Sequence, residues 1–272
     1  MSIVSTEWLD KNNSKVKIID SSWHMPNANR NAYREYKKEH IKNAIFFDID
    51  KFSNKKTELS HMLPDEKEWG KIVSNLGITN KDRIIIYDNS DIISSCRCWY
   101  TFIFFGHDPN LISVLNGGLA KWKKENRKTT KKNSNYNKEN YNAKKIKKLV
   151  KTKEEINKNI IEKKFIVVDA RNKNRFLGLE NEPRPGLKSG SIQNSHCLPF
   201  NELINSNTKT FIKENLIKEK FKKIGIEKEI NVVFSCGSGI TATVLALAYS
   251  LINDKYLPTV YDGSWAEYGK IK

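Results

Sequence analysis

Short runs of β-branched and other apolar residues alternate along this chain with longer stretches that are apolar at helical spacing. In the first half the short runs are KIID (17–20), RIIIYD (83–88) and LISVLN (111–116). In the second half they are FIVVDA (165–170), INVVFS (230–235) and PTVYDG (258–263). Such runs, apolar without polar alternation, read as strands buried on both faces. CRCWYTFIFFGH (96–107) and ITATVLALAYSLIN (240–253) read as helices. In the latter, Val244, Leu247, Ala248 and Leu251 recur at i, i+3, i+4 and i+7. Strands alternating with helices predict an α/β fold built on mainly parallel sheets flanked by helices. In such sheets, functional residues gather at the carboxyl ends of the strands.

The pattern occurs twice. KVKIIDSSW near the start is matched by KKFIVVDARN from Lys163, so that Asp20 corresponds to Asp169 at an offset of 149. EHIKNAIFFDI from Glu39 parallels GSIQNSHCLPF from Gly190, and DRIIIYDNS from Asp82 parallels INVVFSCGS from Ile230. VLNGGLAKW parallels VYDGSWAEY, with Asn116 and Gly117 matching Asp262 and Gly263 at an offset of 146. Four matched segments in one order at a near-constant offset indicate a duplicated domain. The expected division is a first domain over 1–124, a basic linker over 125–150, and a second domain over 151–272.

Charge sharpens that division. The chain has 272 residues and a formal net charge of +17. The stretch from Lys121 to Lys151 holds 13 Lys and Arg against two Glu, so +11 of the excess falls there. Poor in apolar periodicity and rich in Lys and Asn, it reads as a solvated connector. Arg, the residue suited to clamping phosphates and reading bases, is scarce in it, which argues against specific nucleic-acid binding. No apolar run approaches the ~20 residues of a membrane helix. The opening MSIVSTEWLD lacks the basic and apolar regions of a signal peptide, so a cytoplasmic protein is expected. The four cysteines, Cys96, Cys98, Cys197 and Cys236, have neither CxxC nor zinc-ligand spacing. Neither a disulfide framework nor a metal is expected.

One cysteine stands apart. Cys236 ends an apolar strand and opens the turn Cys236-Gly237-Ser238-Gly239-Ile240-Thr241-Ala242 before a helix. Glycines allow a tight turn whose N–H groups converge on one point, and the helix start adds unpaired donors and a positive dipole end. A thiol held there is expected to ionise readily and act as a nucleophile. Phosphoryl chemistry needs an arginine clamp about six residues on, where this chain has Ala242. Disulfide exchange needs a resolving cysteine close by. Sulfur transfer needs one thiolate, a cradle for a persulfide, and a means of recognising the donor.

The CGSGITA loop resembles the active loop of the tandem-rhodanese sulfurtransferases, and its uncharged Gly237 and Ser238 favour the 3-mercaptopyruvate branch of that family. Thiosulfate-specific members typically carry basic residues there. The resemblance spans nearly the whole chain. It implies that NRFLGLENEPRPG (174–186) supplies Arg175 and Arg184 to the carboxylate and carbonyl of a keto acid. It also implies that FFDIDKFSNKKTELSHMLP (46–64) supplies Asp50 and His61, completing an Asp–His–Ser relay at Ser238. Gly237, Gly239, Ile240 and Thr241 would line the donor cradle. The family pattern often has a His where this chain has Ser191, while His40 keeps the corresponding place in the first copy.

Cys236 would take sulfur from 3-mercaptopyruvate as a persulfide and release pyruvate. A thiol such as thioredoxin, or cyanide, would accept that sulfur, with no cofactor. Two other readings stay open on the sequence: a thiosulfate:cyanide sulfurtransferase, and a non-catalytic persulfide carrier. The first copy is expected to be inactive, with Asp91 near the nucleophile's position, Cys96 and Cys98 buried in a helix, and Cys197 in packing.

Overall fold

A computed structural model describes residues 2–227 and 231–271. The chain divides into two compact units that do not follow its halves strictly. The first comprises residues 1–54, 63–146 and 206–211, and the second 55–62, 147–205 and 212–272. Each unit thus includes one short segment from the opposite half of the sequence.

In the first unit the strands are β1 (Ile3–Val4), β2 (Lys17–Asp20), β3 (His40–Ile41), β4 (Ala44–Phe46), β5 (Ile84–Tyr87), β6 (Ile112–Leu115) and β7 (Thr129–Thr130). The helices are α1 (Thr6–Asn12), α2 (Ala32–Lys38), α3 (Glu66–Asn75), α4 (Ser95–Phe104) and α5 (Gly118–Lys124). The second unit has β8 (Val150–Lys151), β9 (Ile166–Asp169), β10 (His196–Cys197), β11 (Val232–Ser235) and β12 (Val260–Tyr261). Its helices are α6 (Lys153–Glu162), α7 (Lys173–Leu177), α8 (Glu214–Lys223), α9 (Ala242–Ser250) and α10 (Ser264–Tyr268). The apolar runs read from the sequence are these central strands. Ile230, at the start of one run, lies outside the described residues.

The duplication is visible in the topology. The first sheet runs β1-β6-β5-β2-β4 and the second β8-β12-β11-β9-β10, all pairs parallel. Asp20 pairs with Tyr87 in the first sheet, and Asp169 with Ser235 in the second. Tyr87 and Ser235 are therefore equivalent strand ends, and the residues that follow them, Asp88 and Cys236, occupy equivalent positions. A further antiparallel pair, β3 with β7, belongs to the first unit.

Two helices follow from composition. In α4 every residue is buried, and in α9 all but Ser250 are. A helix so largely apolar must be covered all round, so the stripe of Val244, Leu247 and Ala248 is part of a wholly buried surface rather than one face. Cys96 and Cys98 lie within α4, where burial pushes both thiols well above their ordinary range.

The basic stretch is not wholly solvated: Tyr141 is buried against His107, and Ile146 N–H donates to the Phe104 carbonyl at 2.8 Å. No helix among the described residues is long and apolar enough to cross a membrane.

Candidate active site at the cysteine loop

β11 delivers Cys236 to the carboxyl end of the second sheet, and the residues around α10 hold it there. Cys236 N–H donates to Ser264 Oγ at 3.1 Å. Its carbonyl accepts from Trp265 N–H at 2.9 Å, and the Gly237 carbonyl accepts from Ala266 N–H at 2.8 Å. The loop then folds back so that Gly239 N–H points at the Cys236 sulfur, 3.1 Å away. Gly239 has φ of +79°, a conformation that side chains other than glycine's resist. Ile240 and Thr241 start the helix: the Ile240 carbonyl accepts from Thr243 Oγ1 at 2.6 Å, and the Thr241 carbonyl from Val244 N–H at 3.1 Å.

Ser238 is buried and held from two sides. Arg184 Nη2 donates to its oxygen at 3.0 Å, and His61 Nδ1 lies 2.9 Å from the same atom. With the hydroxyl oxygen accepting from arginine, its proton is free to point at the imidazole. His61 belongs to the 55–62 segment, so it reaches Ser238 within the second unit. The same segment is tied to the chain's end by the Glu58–Lys270 ion pair at 3.1 Å. Asp50 belongs to the first unit, where its carboxylate accepts from Trp23 Nε1 at 2.8 Å.

The two arginines converge on Gly237. A β-carbon at that position would stand 3.3 Å from Arg175 Nη2 and 3.5 Å from Arg184 Nη1. Arg175 is placed by the short helix α7, which Asn172 caps by accepting Arg175 N–H at 2.8 Å. Its side chain is fixed by a residue the sequence reading passed over. Glu182 accepts from Arg175 Nε at 3.1 Å and from Nη2 at 2.6 Å. It also accepts from Arg171 Nη1 at 2.6 Å.

Arg171 is itself buried, forked onto Asp169 and stacked over the Trp265 ring at 4.5 Å. Burial opposes its charge, and Asp169 and Glu182 more than offset that, so it stays firmly protonated. Cys197, half-buried beside Asp169, is pushed up to about 11 by burial and then by that carboxylate, which keeps it a thiol. A cavity of about 980 Å³, lined by Phe165, Asn231 and Leu257 among others, lies at the amino ends of β9 and β11. It is at the opposite end of the sheet from Cys236.

A profile of the Rhodanese-like domain matches residues 5–125 and again residues 152–270. The chain belongs to the rhodanese family. This rhodanese is 35% identical over 289 residues to thiosulfate/3-mercaptopyruvate sulfurtransferase 1, mitochondrial, of Arabidopsis thaliana, covering 98% of this chain and 75% of the plant protein. It is 34% identical over 275 residues to the thiosulfate sulfurtransferase of Rattus norvegicus, covering 98% and 91% respectively. The solved structure of SseA from Escherichia coli, described as a 3-mercaptopyruvate sulfotransferase, superposes with a TM-score of 0.87 at 28% identity, covering 97% of this chain and 99% of SseA. The chain is thus a sulfurtransferase with two rhodanese-like domains.

In the first unit Asp91 lies near the counterpart of Cys236 but is not that counterpart. The register places Asp88, not Asp91, opposite Cys236, and the backbone agrees: the Asp88 carbonyl accepts Leu119 N–H at 2.9 Å, as the Cys236 carbonyl accepts Trp265 N–H. Asp91 is three residues further on, its carboxylate 3.3 Å from Lys209 and 3.8 Å from Arg30. Asp88 is buried. It accepts from Ser90 N–H, Ser90 Oγ and Ser95 N–H, each at 2.9 Å.

Proposed function

We propose that this enzyme takes sulfur from 3-mercaptopyruvate, carries it as a persulfide on Cys236 and passes it to a thiol, releasing pyruvate. The observation that supports this donor is the pair of guanidiniums at Gly237, beside a loop with no charge of its own. A carboxylate next to a carbonyl offers several acceptor oxygens in one plane, which suits two forked donors.

The Cys236 thiolate attacks the donor sulfur and forms the S–S bond. The donor's C–S bond breaks, and its electron pair moves onto carbon as the enolate of pyruvate. Arg175 and Arg184 stabilise the charge on the departing enolate oxygen and hold the C–S bond in line with Cys236. Ser238, with His61 behind it, takes the proton of the donor thiol and returns it to the enolate carbon. Asp50 enters as the orienting member of this relay on the family resemblance alone. The outer sulfur then leaves Cys236 as a second thiol attacks it, in a double displacement. A small thiol or a protein thiol such as thioredoxin serves as acceptor.

Mass spectrometry after incubation with 3-mercaptopyruvate tests the reading. The Cys236 peptide is expected to gain about 32 Da, reversed by a thiol, and Cys236→Ser to abolish both the gain and pyruvate release. Faster sulfite formation from thiosulfate than pyruvate release from 3-mercaptopyruvate would replace the donor. Transfer that survives Cys236→Ser would remove the nucleophile.

A further inference from the structure

One donor arginine stands in a network with a definite charge balance. Two guanidiniums, those of Arg171 and Arg175, meet two buried carboxylates, those of Asp169 and Glu182, while Arg184 binds Ser238 instead. Asp169 takes three hydrogen bonds from Arg171, at 3.2, 2.9 and 2.7 Å. Glu182 is shared: one oxygen bridges Arg171 and Arg175, and the other takes Arg175 Nη2. Its side chain is only 1% exposed. A carboxylate so placed fixes the Nε/Nη2 edge of Arg175 and turns the remaining N–H groups of Nη1 and Nη2 outward. Arg171, stacked on Trp265 and bound to the Gly190 carbonyl at 2.8 Å, anchors Glu182 from behind.

We infer that Glu182 is the positioning residue of the donor clamp and sets its charge selectivity. It aims Arg175 at the cysteine loop. It also cancels one of the two clamp charges, that of Arg175, and leaves that of Arg184, which binds Ser238 and neither of these carboxylates. A singly charged donor meets one net positive charge and a full set of hydrogen-bond donors. A doubly charged donor, such as thiosulfate, meets the same single charge and is left under-neutralised in a site where charges are only partly screened. The inference builds on the proposed donor clamp, but the direction of its effect does not depend on which donor the native enzyme prefers.

The test measures kcat and KM for 3-mercaptopyruvate and for thiosulfate in Glu182→Gln and Glu182→Asp. Glu182→Gln keeps the shape and removes the charge. It is expected to raise KM for 3-mercaptopyruvate about tenfold as Arg175 loses its fixed edge, with kcat changed far less. The thiosulfate-to-mercaptopyruvate ratio of kcat/KM is expected to rise about tenfold as the second clamp charge is released. Glu182→Asp keeps the charge but shortens the reach; it is expected to raise KM for both donors and leave their ratio near that of the native enzyme.

A Glu182 that merely supported the fold would lower both donors in parallel in Glu182→Gln, and that outcome overturns the inference. So does an unchanged donor ratio in Glu182→Gln. If Glu182→Gln does not fold, Glu182→Asp decides: a raised KM for both donors with kcat and thermal stability near native supports the inference, and a tenfold shift in donor ratio, or a fall in stability and kcat with KM unchanged, overturns it. A native enzyme that favours thiosulfate would refute the proposed donor while leaving the sign of the Glu182→Gln shift fully testable.

Discussion

The loop after β5 and the loop after β11 end equivalent strands, and both hold an acceptor against backbone N–H groups. After β11 the acceptor is the sulfur of Cys236, with Gly239 N–H at 3.1 Å. After β5 it is the carboxylate of Asp88, held by Ser90 and Ser95. The first unit fills the corresponding place with a carboxyl side chain of its own, which has no sulfur to carry. Around it, Arg30 is committed to Glu35 at 2.6 Å, and Lys209 reaches Asp91. Around Cys236, two guanidiniums keep N–H groups available beside an uncovered glycine. A cradle for an anion is therefore a property of the duplicated backbone. Sulfur transfer needs in addition a nucleophile and unsatisfied donors for the substrate.

The strongest challenge to that conclusion is to move the cysteine. Asp88→Cys in a Cys236→Ser background is expected to transfer sulfur at less than about one-thousandth of the native rate, because a thiol without the donor clamp lacks both orientation and charge stabilisation. Pyruvate release and the mass of the residue 88 peptide check it. Recovery to within tenfold of native would mean that the cradle alone suffices.

A second contrast concerns the strand-end acids. Asp169 has Arg171 as its partner, whereas the equivalent Asp20 has Ser22, whose N–H and Oγ lie at 3.0 and 2.5 Å from its carboxylate. Buried without a cation, Asp20 is pushed from its ordinary 3.8 up to about 6, chiefly by desolvation. The folded protein thus holds this proton more tightly than the unfolded chain. Its contribution to stability is fully present below pH ~4 and is lost as pH rises through ~6, a change of at most about 3 kcal/mol. Denaturation of the native protein and of Asp20→Asn across pH 4 to 7 is expected to show the difference shrinking at the acid end. Parallel curves would show that Asp20 titrates in the folded protein as it does in the unfolded one.

The smallest expected effect is at Gly237. A methyl group there stands 3.3 Å from Arg175 Nη2 and 3.5 Å from Arg184 Nη1. Both side chains can yield by a few tenths of an ångström. Gly237→Ala is expected to raise KM for the donor several-fold, about 1 kcal/mol, with thermal stability within 1–2 °C of native. An unchanged KM would place the donor away from this residue.

Much of this was legible in the residues themselves. The parallel strands announced themselves as uninterrupted β-branched runs, since a strand covered on both faces has no polar side to show. The loop at Cys236 was readable because glycines and a helix start are local features. The pairing of DRIIIYDNS with INVVFSCGS already sets Asp88 opposite Cys236, and the strand register and the hydrogen bonds of Leu119 and Trp265 agree, with Asp91 three residues further on. One thing was not legible. Glu182 lay hidden in a polar segment, ENEPRPG, that reads as a surface loop. Its partner Arg171, two residues after a strand-end aspartate, was the available clue, because such an arginine can fork back onto that carboxylate.

The segments 55–62 and 206–211 make the duplication reciprocal. Each arises in one half of the sequence and is part of the compact unit formed by the other. His61 and Lys209, on these segments, share left-handed backbone angles of +64° and +56°. They are related by the same offset as Asp88 and Cys236, so the exchange was made on both sides. Once made, it closed the way back to independent modules. A cut between the halves leaves the copy with Cys236 without its imidazole and the copy with Asp88 without its lysine. Recombination that keeps both units whole must therefore carry the two halves together.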